Sequence, residues 1–227
     1  MSVKDSVLNT FFPPKCAFCG RLLPAASGIC PACEKDLPFR PEGKILQRID
    51  GFDCAVTFYY EGAVKDGIRA MKFQGKSARA AVFAPYLAQT AAEQLGGRFD
   101  TVTFVPVSPL RNFLRGYDQA QLLAEATAAI WGVKARKTLV KKRNNPPQSS
   151  VITPAERRAN ALGAYRARPG ADIRGRRLLL IDDVCTSGST LAECARTLMD
   201  AGAAQVVCAA LAGGHSKQRR PAKNKPG

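Results

Sequence analysis

The segment LLLIDDVCTSGSTL, residues 178–191, concentrates the side chains of this sequence that could do chemistry. An apolar run that predicts a buried strand ends in two adjacent carboxylates, Asp182 and Asp183, and continues through a hydroxyl-rich loop into a predicted helix. Backbone N–H groups over Thr186–Thr190 can surround a phosphate at a helix N-terminus, and Gly188 permits a close approach of the backbone. The segment therefore predicts a phosphate-binding site.

The side chains of this segment extend that prediction. Further hydrogen-bond donors come from four hydroxyl groups, those of Thr186, Ser187, Ser189 and Thr190. Carboxylates such as those of Asp182 and Asp183 accept hydrogen bonds from ribose hydroxyls or hold Mg²⁺, directly or through water. The loop is neither a Walker A loop, which needs a GK[ST] ending, nor the GxGxxG of dinucleotide-binding folds.

Four of the eight cysteines form two close pairs, Cys16 with Cys19 and Cys30 with Cys33. Each CxxC directs two thiolates to one point, and two such pairs complete the tetrahedral shell that Zn²⁺ prefers. Disulfides are the alternative, but they need an oxidising compartment, and an N-terminus with Asp5 in place of an apolar run is not typical of a signal peptide. The pattern predicts a structural zinc with no open position for chemistry. Core positions are predicted for Cys54, Cys194 and Cys208.

Positive charge is the third feature, because 34 Lys and Arg residues outnumber 18 acidic residues and give a formal net charge of +16. Residues 134–177 hold 13 basic and two acidic residues, and residues 214–227 add five basic residues and no acid. Such a surface attracts polyanions, so phosphorylated small molecules and nucleic acid are both candidate partners, with a solvated loop as the alternative. The 11 Phe, five Tyr and one Trp offer few obvious platforms for stacking single-stranded bases.

Alternating strands and helices must position these residues. Strand-like apolar runs lie at 52–60, 101–107, 177–182 and 205–212, and stretches with helical spacing lie at 62–74, 77–95, 117–131 and 188–201. This alternation predicts an α/β fold in which helices cover both faces of a parallel sheet, with ligands at the carboxyl ends of the strands. Residues 141–155, rich in Pro, Asn and basic side chains, are predicted to form a long exposed loop.

Three segments carry a resemblance that extends over nearly the whole chain. They are VPVSPLRNFLRGYDQAQLLA (105–124), PPQSSVITPAERRANALGAY (146–165) and IDDVCTSGSTLAECARTLMDAGA (181–203), and the four-cysteine module precedes them. Together they resemble the ComF/GntX family, the competence-associated members of the type I phosphoribosyltransferase superfamily. The last segment is similar to the signature that binds phosphoribosyl pyrophosphate (PRPP). The sequence departs from the family at Tyr117-Asp118, where Phe-Asn is usual, and at Cys185 and Ser187, where Leu and Thr are common.

The resemblance implies a type I phosphoribosyltransferase-like sheet and gives roles to the matching residues. Asp182 and Asp183 would bind the ribose hydroxyls of PRPP, and Thr186–Thr190 would bind its 5-phosphate. Facing the pyrophosphate would be Arg111, Arg115 and Gly116, with Mg²⁺ bridging pyrophosphate and ribose. For the two arginines a solvated helix end is the alternative.

Further family positions lie outside these loops. A mobile hood that excludes water from the site would include Gln148, Arg157 and Asn160. Lys72 is also a family position, but no role follows for it, and a surface lysine at a helix end is as good an interpretation. The Cys185 thiol leaves phosphate binding intact and is interpreted as ordinary loop packing.

Two functions are consistent with the resemblance. The first is Mg²⁺-dependent transfer of a phosphoribosyl group to an acceptor that no residue set in this sequence specifies. The second is a non-catalytic PRPP- or nucleotide-sensing protein that binds single-stranded DNA and serves its uptake, with the DNA-uptake machinery as a partner. The single histidine, His215, fits neither a catalytic triad nor a metal site and is interpreted as a surface residue.

The organisation of the 227 residues follows from these assignments. We expect an N-terminal helix and zinc-binding module over residues 1–45, a phosphoribosyltransferase-like domain over 46–213 and a disordered basic tail over 214–227. No run approaches the roughly 18 apolar residues of a membrane helix. We therefore expect a cytoplasmic protein with no membrane insertion.

Overall fold

The structure, a computed structural model, describes residues 13–24, 27–73, 78–142 and 153–214. Its strands are β1 Leu46–Ile49, β2 Phe52–Tyr59, β3 Thr101–Phe104, β4 Leu139–Lys141, β5 Tyr165–Ala167, β6 Arg177–Cys185 and β7 Gln205–Gly213. Its helices are α1 Pro31–Lys35, α2 Gly62–Phe73, α3 Ala78–Leu95, α4 Pro109–Arg115, α5 Gln119–Ile130, α6 Pro154–Ala161 and α7 Ser189–Asp200.

Five strands form the main sheet in the order β1-β2-β7-β6-β3. All neighbouring pairs in it are parallel except β1 with β2, which are joined through Asp50 and Gly51 at positive φ angles of 46° and 92°. The predicted α/β fold with a parallel sheet is therefore confirmed. The antiparallel edge strand β1 was not predicted, because only one of its four residues is buried and they form no apolar run.

Helices cover both faces of this sheet, as its apolar strands require. Alternate residues of β6 face opposite cores: Leu179 and Ile181 pack with α2, α3 and α5, whereas Leu178 and Leu180 pack with α7 and the β4–β5 pair. The three cysteines predicted to be core residues, Cys54, Cys194 and Cys208, are fully buried. The carboxyl ends of β3 and β6 are thus held at one edge by two layers of packing.

Two predicted segments need correction. The strand predicted over 101–107 ends at Phe104, because Pro106 has no N–H to donate and the N–H of Val107 donates instead to the Asp118 carboxylate at 2.8 Å. The long loop predicted over 141–155 is wrong at both ends, since Lys141 belongs to β4 and α6 begins at Pro154. Residues 143–152 lie outside the described residues.

The start of α6 shows why the loop prediction failed. The Thr153 hydroxyl accepts a hydrogen bond from the Glu156 N–H at 3.3 Å, and the Glu156 carboxylate accepts one from the Thr153 N–H at 2.7 Å. This reciprocal capping box satisfies N–H groups that the first helical turn would otherwise leave without partners. Its T-P-A-E pattern was present in the sequence and indicates a helix start.

The four thiols predicted to bind zinc come together in the described structure. The sulfur atoms of Cys16, Cys19, Cys30 and Cys33 all lie within 4.8 Å of one another, and those of Cys19 and Cys30 are 3.7 Å apart. Tetrahedral zinc with Zn–S bonds of about 2.3 Å places its sulfur ligands about 3.8 Å apart. Burial raises the pKa of the Cys16 thiol, but backbone N–H donors outweigh burial and lower it to about 6, whereas burial and the three neighbouring cysteines raise the pKa of the Cys33 thiol. The donor set therefore fits zinc.

The cysteine module shares its apolar core with the sheet. Phe18, which lies inside the first cysteine pair, is buried edge-on against Phe58 of β2 and Phe83 of α3, with ring centroids 6.1 and 5.0 Å away. Gly67 of α2 permits this packing, because a Cβ atom there would lie 2.7 Å from the Ala17 carbonyl oxygen. Loss of the metal centre should therefore disturb the core of the main sheet.

A buried cation lies near the thiols of Cys16 and Cys19. Arg79, in the first turn of α3, is only 6% exposed, and its guanidinium donates to the carbonyl oxygen of Ala17. Its Nε atom has no hydrogen-bond partner in the described part of the chain. Burial lowers the pKa of Arg79, and the thiols of Cys16 and Cys19 oppose that effect. A zinc ion with four thiolates carries two negative charges, so this guanidinium is placed to compensate part of that charge.

Several sequence predictions fall outside the described residues. These include residues 1–12, at the start of the expected N-terminal helix and zinc-binding module, and the basic tail with His215. The proposed domain boundaries at 45/46 and 213/214 stay predictions. Over the residues that are described, no helix is both long enough and apolar enough to cross a bilayer.

We predict that the purified chain contains about one zinc ion and that Cys16→Ser/Cys19→Ser loses it, because two ligands cannot close a tetrahedral shell. Elemental analysis of dialysed protein measures the content. Cys194→Ala removes a buried thiol outside the cluster and should keep wild-type zinc. A wild-type protein without zinc, or a double variant that retains full metal and stability, would contradict the assignment.

We predict that Arg79→Met weakens zinc retention by about 10- to 100-fold, the usual effect of removing a group that supports metal ligands. Competition with a chromogenic chelator measures the zinc affinity. Arg79→Lys, which keeps the charge, should retain more affinity than Arg79→Met, and Arg69→Met, which removes an exposed guanidinium from α2, should change nothing. Equal zinc affinity in Arg79→Met and wild type would exclude charge compensation by Arg79.

Candidate functional site

A cleft of about 200 Å³ opens at the carboxyl ends of β3 and β6. It continues into a second cleft of about 150 Å³ that shares Lys141, Tyr165 and Thr190 with the first. The walls bring together ten of the residues predicted from the sequence to form the site: Arg111, Arg115, Arg157, Asn160, Asp182, Asp183, Thr186, Ser187, Ser189 and Thr190. Residues far apart in sequence therefore meet around one space.

Two carboxylates lie where β6 leaves the core. Asp183 is buried and Asp182 is half-buried, and the N–H of Asp183 donates to the Asp182 carboxylate at 2.8 Å. Both side chains line the larger cleft. An oxygen-rich pair at this position can accept hydrogen bonds from hydroxyl groups or hold a hard divalent cation.

The loop after β6 forms the wall of the second cleft. Thr186, Ser187, Ser189 and Thr190 line it, and the hydroxyl oxygens of Ser187 and Ser189 are 2.9 Å apart. The loop leads directly into α7, a helix of 12 residues with a partial positive charge at its N-terminus. Gly188 supplies no side-chain cap there, and the Ser189 N–H donates to the Ser187 hydroxyl at 3.5 Å. The arrangement can hold a phosphate group.

Gly188 is required in this loop for two reasons. It precedes α7 in the left-handed conformation, at φ 74°, which residues with a side chain rarely adopt. A Cβ atom at this position would also lie 2.2 Å from Cγ2 of Ile49, the last residue of β1. From the sequence we expected a glycine here because the backbone approaches a phosphate. The structure adds a second reason, the close contact with the edge hairpin, which is formed by β1 and β2.

Helix α4 carries the two arginines of the opposite wall. Ser108 caps its N-terminus by accepting from the Arg111 N–H at 3.4 Å, and Gly116 ends it at φ 76°. Arg111 and Arg115, one turn apart, both line the larger cleft, and Arg115 also donates to the Gln119 side chain at 2.8 Å. Gly116 lies at the C-terminal cap of α4, where its role is to end the helix.

The Asp118 side chain binds the backbone on both sides of α4. Its carboxylate accepts hydrogen bonds from three N–H groups, those of Val107, Ala120 and Gln121, at 2.8, 3.1 and 3.2 Å. Burial raises the pKa of Asp118, the three donors oppose this rise, and the nearby Asp183 carboxylate adds to it. The Tyr117 hydroxyl donates to the carbonyl oxygen of Met71. Both departures from the usual Phe-Asn of the family thus make specific contacts.

Lys141 and Tyr165 are site residues that sequence reasoning missed. They face each other across the antiparallel β4–β5 pair, with the Lys141 ammonium 5.3 Å from the centre of the Tyr165 ring. Burial lowers the pKa of Lys141, and the neighbouring Arg111 guanidinium lowers it further. Burial also raises the pKa of Tyr165. In the sequence Lys141 was only one member of a basic run, since two strands of three residues leave no readable period.

The hood residues are described only in part. Arg157 and Asn160 belong to α6 and line the second cleft, whereas Gln148 lies outside the described residues. Lys72 lies in the last turn of α2, and its side chain is outside the description. Cys185 is the buried last residue of β6, which gives its thiol a place in the core rather than in the loop.

Comparisons with known proteins relate this architecture to two domain families. Residues 7–45 match the double zinc ribbon domain, and residues 119–225 match the phosphoribosyl transferase domain. The first region contains all four clustered thiols, and the second contains the carboxylate pair and the hydroxyl-rich loop.

The sequence is similar to three known proteins over most of its length. DNA utilization protein YhgH of Salmonella typhimurium is 29% identical over 198 residues, which are 84% of this chain and 86% of that protein. Competence protein F of Haemophilus influenzae is 26% identical over 221 residues, 88% of this chain and 96% of that protein. Competence protein ComFC of Streptococcus pneumoniae is 30% identical over 159 residues, 69% of this chain and 66% of that protein.

The resemblance found in the sequence is confirmed by this combination of a zinc ribbon, a phosphoribosyl transferase domain and relatives named for competence and DNA utilization. The chain belongs to the ComF/GntX family of competence-associated, phosphoribosyltransferase-like proteins with an N-terminal zinc-binding module.

Proposed function

We propose that this chain binds PRPP in the cleft at the carboxyl ends of β3 and β6 and transfers its phosphoribosyl group to an acceptor. One observation carries the proposal: the cleft combines a carboxylate pair, a hydroxyl-rich loop at a helix N-terminus and a wall of cations. These are the groups needed for a ribose, a terminal phosphate and a pyrophosphate. A cleft for a neutral ligand would not need all three.

In this proposal the loop Thr186–Thr190 binds the 5-phosphate. Its N–H groups and hydroxyls supply donors, and the N-terminus of α7 favours negative charge. The contact of Gly188 with Ile49 supports the same role, because it fixes the loop before the ligand arrives and so reduces the entropy lost on binding.

The carboxylate pair binds the ribose. Asp182 and Asp183 accept hydrogen bonds from the 2- and 3-hydroxyl groups, and the oxygen ligands they offer fit Mg²⁺, which the same two residues would hold. When bound, Mg²⁺ would neutralise charge on the pyrophosphate oxygens. Because Asp118 is already surrounded by three N–H donors, its carboxylate serves the architecture and is not assigned to the ligand.

Cations on the opposite wall stabilise the leaving group. Transfer breaks the bond between C1 of the ribose and the pyrophosphate oxygen, and the bond to the acceptor nucleophile forms at C1 while the acceptor releases a proton. Negative charge therefore grows on pyrophosphate, where Arg111 and Arg115 can donate to its oxygens. Lys141 lines both clefts and adds a third positive charge. Binding of the anion should raise the lowered pKa of Lys141 towards its usual range.

Helix α6 supplies the roof in this proposal. Arg157 and Asn160 line the second cleft, and closure of α6 with the segment that contains Gln148 would exclude water from C1. We place the reaction in the cytoplasm, where thiols stay reduced and zinc-binding thiolates persist.

Release of pyrophosphate from PRPP, measured with a panel of nucleobases and with no acceptor, tests catalysis. A protein that binds PRPP but releases no pyrophosphate with any acceptor would favour the second candidate function.

The second candidate is a PRPP-sensing protein that binds single-stranded DNA and serves DNA uptake together with partner proteins. The relatives named for DNA utilization and competence favour it, as does the basic excess of residues 134–177. Catalysis is not needed for this role, because a bound ligand can itself change the affinity for DNA. The two candidates share the PRPP site and differ in whether pyrophosphate leaves.

We predict that Asp182→Asn/Asp183→Asn lowers PRPP affinity about tenfold or more without unfolding the chain. The change preserves shape but removes charge-assisted hydrogen bonds, each of which contributes about 1.5–3 kcal/mol. Calorimetric titration in the presence of Mg²⁺ measures the affinity, and a thermal melt checks the fold. Asp172→Asn, at an exposed carboxylate paired with Arg136 and Arg176, is the control. Equal PRPP affinity in wild type and the double variant would remove the carboxylates from the site.

We predict that single-stranded DNA binds with an affinity that falls steeply with salt, because each neutralised phosphate releases counterions. Reversal of charge at Lys141, Lys142 and Arg143 should weaken binding more than deletion of residues 216–227, since this basic run begins within β4, where Lys141 is the last residue. Fluorescence anisotropy at low and moderate salt measures both effects. PRPP affinity must be measured on the same preparations, because Lys141 also lines the cleft. DNA affinity that is undetectable, or that does not change with salt, would leave the charge as a solvated surface.

A further inference from the structure

Helix α4 exposes an apolar face that the folded chain leaves uncovered. None of its seven residues is buried, and Phe113, Leu114 and Leu110 are 85%, 72% and 50% exposed. Single exposed apolar residues are ordinary on a protein surface, but three of them on two turns of one helix form a contiguous patch. We call this patch, defined by Leu110, Phe113 and Leu114, the α4 face.

The α4 face is held rigidly although it contributes nothing to the core. Ser108 caps the start of α4, Gly116 ends it, and the Asp118 carboxylate binds the N–H of Val107 just before it. A helix of this length would not be stable alone in water, so its caps and this brace are what maintain it. A ligand that binds the α4 face would therefore meet a preformed surface.

The side of α4 next to the apolar face is positively charged. Residues 110, 113 and 114 follow the i, i+3, i+4 spacing of one helical face, and Arg111 and Arg115 lie one turn apart on the adjacent face at the rim of the cleft. The helix contains no acidic residue. Its ligand should therefore combine apolar surface with negative charge.

A second copy of this chain does not meet that requirement. Three side chains expose at most a few hundred Å², whereas a stable dimer buries about 800 Å² on each partner. A twofold contact through α4 would also bring four arginines together with no acid on either helix, which is unfavourable. The charge and the size of the patch both favour a smaller anionic ligand with flat apolar groups.

We propose that the α4 face is a docking site for single-stranded DNA, whose bases stack on Phe113 and pack against Leu114 while its phosphates lie towards Arg111 and Arg115. This inference rests on the second candidate function and assigns it a surface. Aromatic platforms beside cations are the usual means by which proteins hold single strands without reading their sequence. The position of the α4 face beside the cleft brings the strand to the rim of the PRPP site.

The test uses the full-length, zinc-loaded protein and a fluorescein-labelled oligothymidine of about 15 nucleotides, within the usual site size. Phe113→Ala should lower its affinity by about 5- to 100-fold, the effect of losing one stacked base. The slope of log affinity against log salt should stay as in wild type, because stacking releases no counterions. Ile130→Ala, which shortens a residue 51% exposed at the end of α5, should bind as wild type does.

A second variant distinguishes stacking from a change of fold. Phe113→Trp should keep wild-type affinity, and in a Trp131→Phe background its indole emission should be quenched by the oligonucleotide. Wild-type affinity in Phe113→Ala, or unquenched emission of the indole on a bound oligonucleotide, would overturn the α4 assignment and leave DNA binding in place. An absence of DNA binding by the wild type would overturn the second candidate function as well. If light scattering shows a dimer that Phe113→Ala dissociates, the α4 face is an interface between two copies of this chain. That result would also overturn the proposal that the α4 face binds single-stranded DNA.

Discussion

β6 carries two carboxylates directly out of an apolar interior, and charge at such a point is costly unless donors, cations or water surround it. Leu179, Leu180 and Ile181 before the pair are fully buried, whereas Asp182 is half-buried and opens on the cleft. The other parts of the site reduce the cost of placing these charges next to the apolar interior. The cations of α4 and β4 line the same cleft, the hydroxyl-rich loop begins three residues after Asp183, and the Asp118 carboxylate accepts hydrogen bonds from backbone N–H groups.

The zinc-binding module is part of this arrangement rather than an appendage. Phe18 enters the core next to Phe58, so one side of the module rests on β2. Its other side is tied to the carboxyl end of β7 through Arg40, whose buried guanidinium donates to the Lys44 carbonyl at 2.9 Å, donates to the Gly214 carbonyl and lies 5.0 Å from the centre of the Tyr59 ring. β7 pairs with β6 over its whole length, so the metal centre supports the strand that carries the carboxylates.

The sequence was sufficient for elements whose periodicity is set by burial. The four main parallel strands and the helices that cover them were predicted because each lies in an apolar run that packs on the core, including β3, whose four residues are all buried. β1, β4 and β5 are equally short or shorter and only partly buried, so they show no apolar run or period, and with β4 the site residue Lys141 was missed. The capping box of α6 was readable but was overridden by the proline and charge content of its surroundings.

Some site residues could likewise be predicted from the sequence, whereas others could not. The carboxylates and the hydroxyl-rich loop are adjacent in sequence, so their proximity was certain, and the arginines entered only through the family resemblance. No sequence feature predicts that Phe113 is exposed, because its exposure depends on α4 projecting from the fold instead of packing on it. The count of aromatic residues therefore underestimated the surface available for stacking.

The edge hairpin, which the sequence did not reveal, gives the two sides of the phosphate cleft different stiffness. Ile49 packs against the backbone at Gly188, and close packing of this kind does not tolerate displacement. The adjacent Asp50 forms an ion pair with Arg158 of α6 at 3.9 Å and another with Arg196 of α7 at 3.4 Å. Exposed ion pairs typically contribute less than about 1 kcal/mol and weaken with salt. The hairpin thus holds the loop proposed to bind the phosphate by close packing, and it contacts α6 through a weak ion pair. This difference fits the proposal that the loop is rigid and that α6 moves when the site closes.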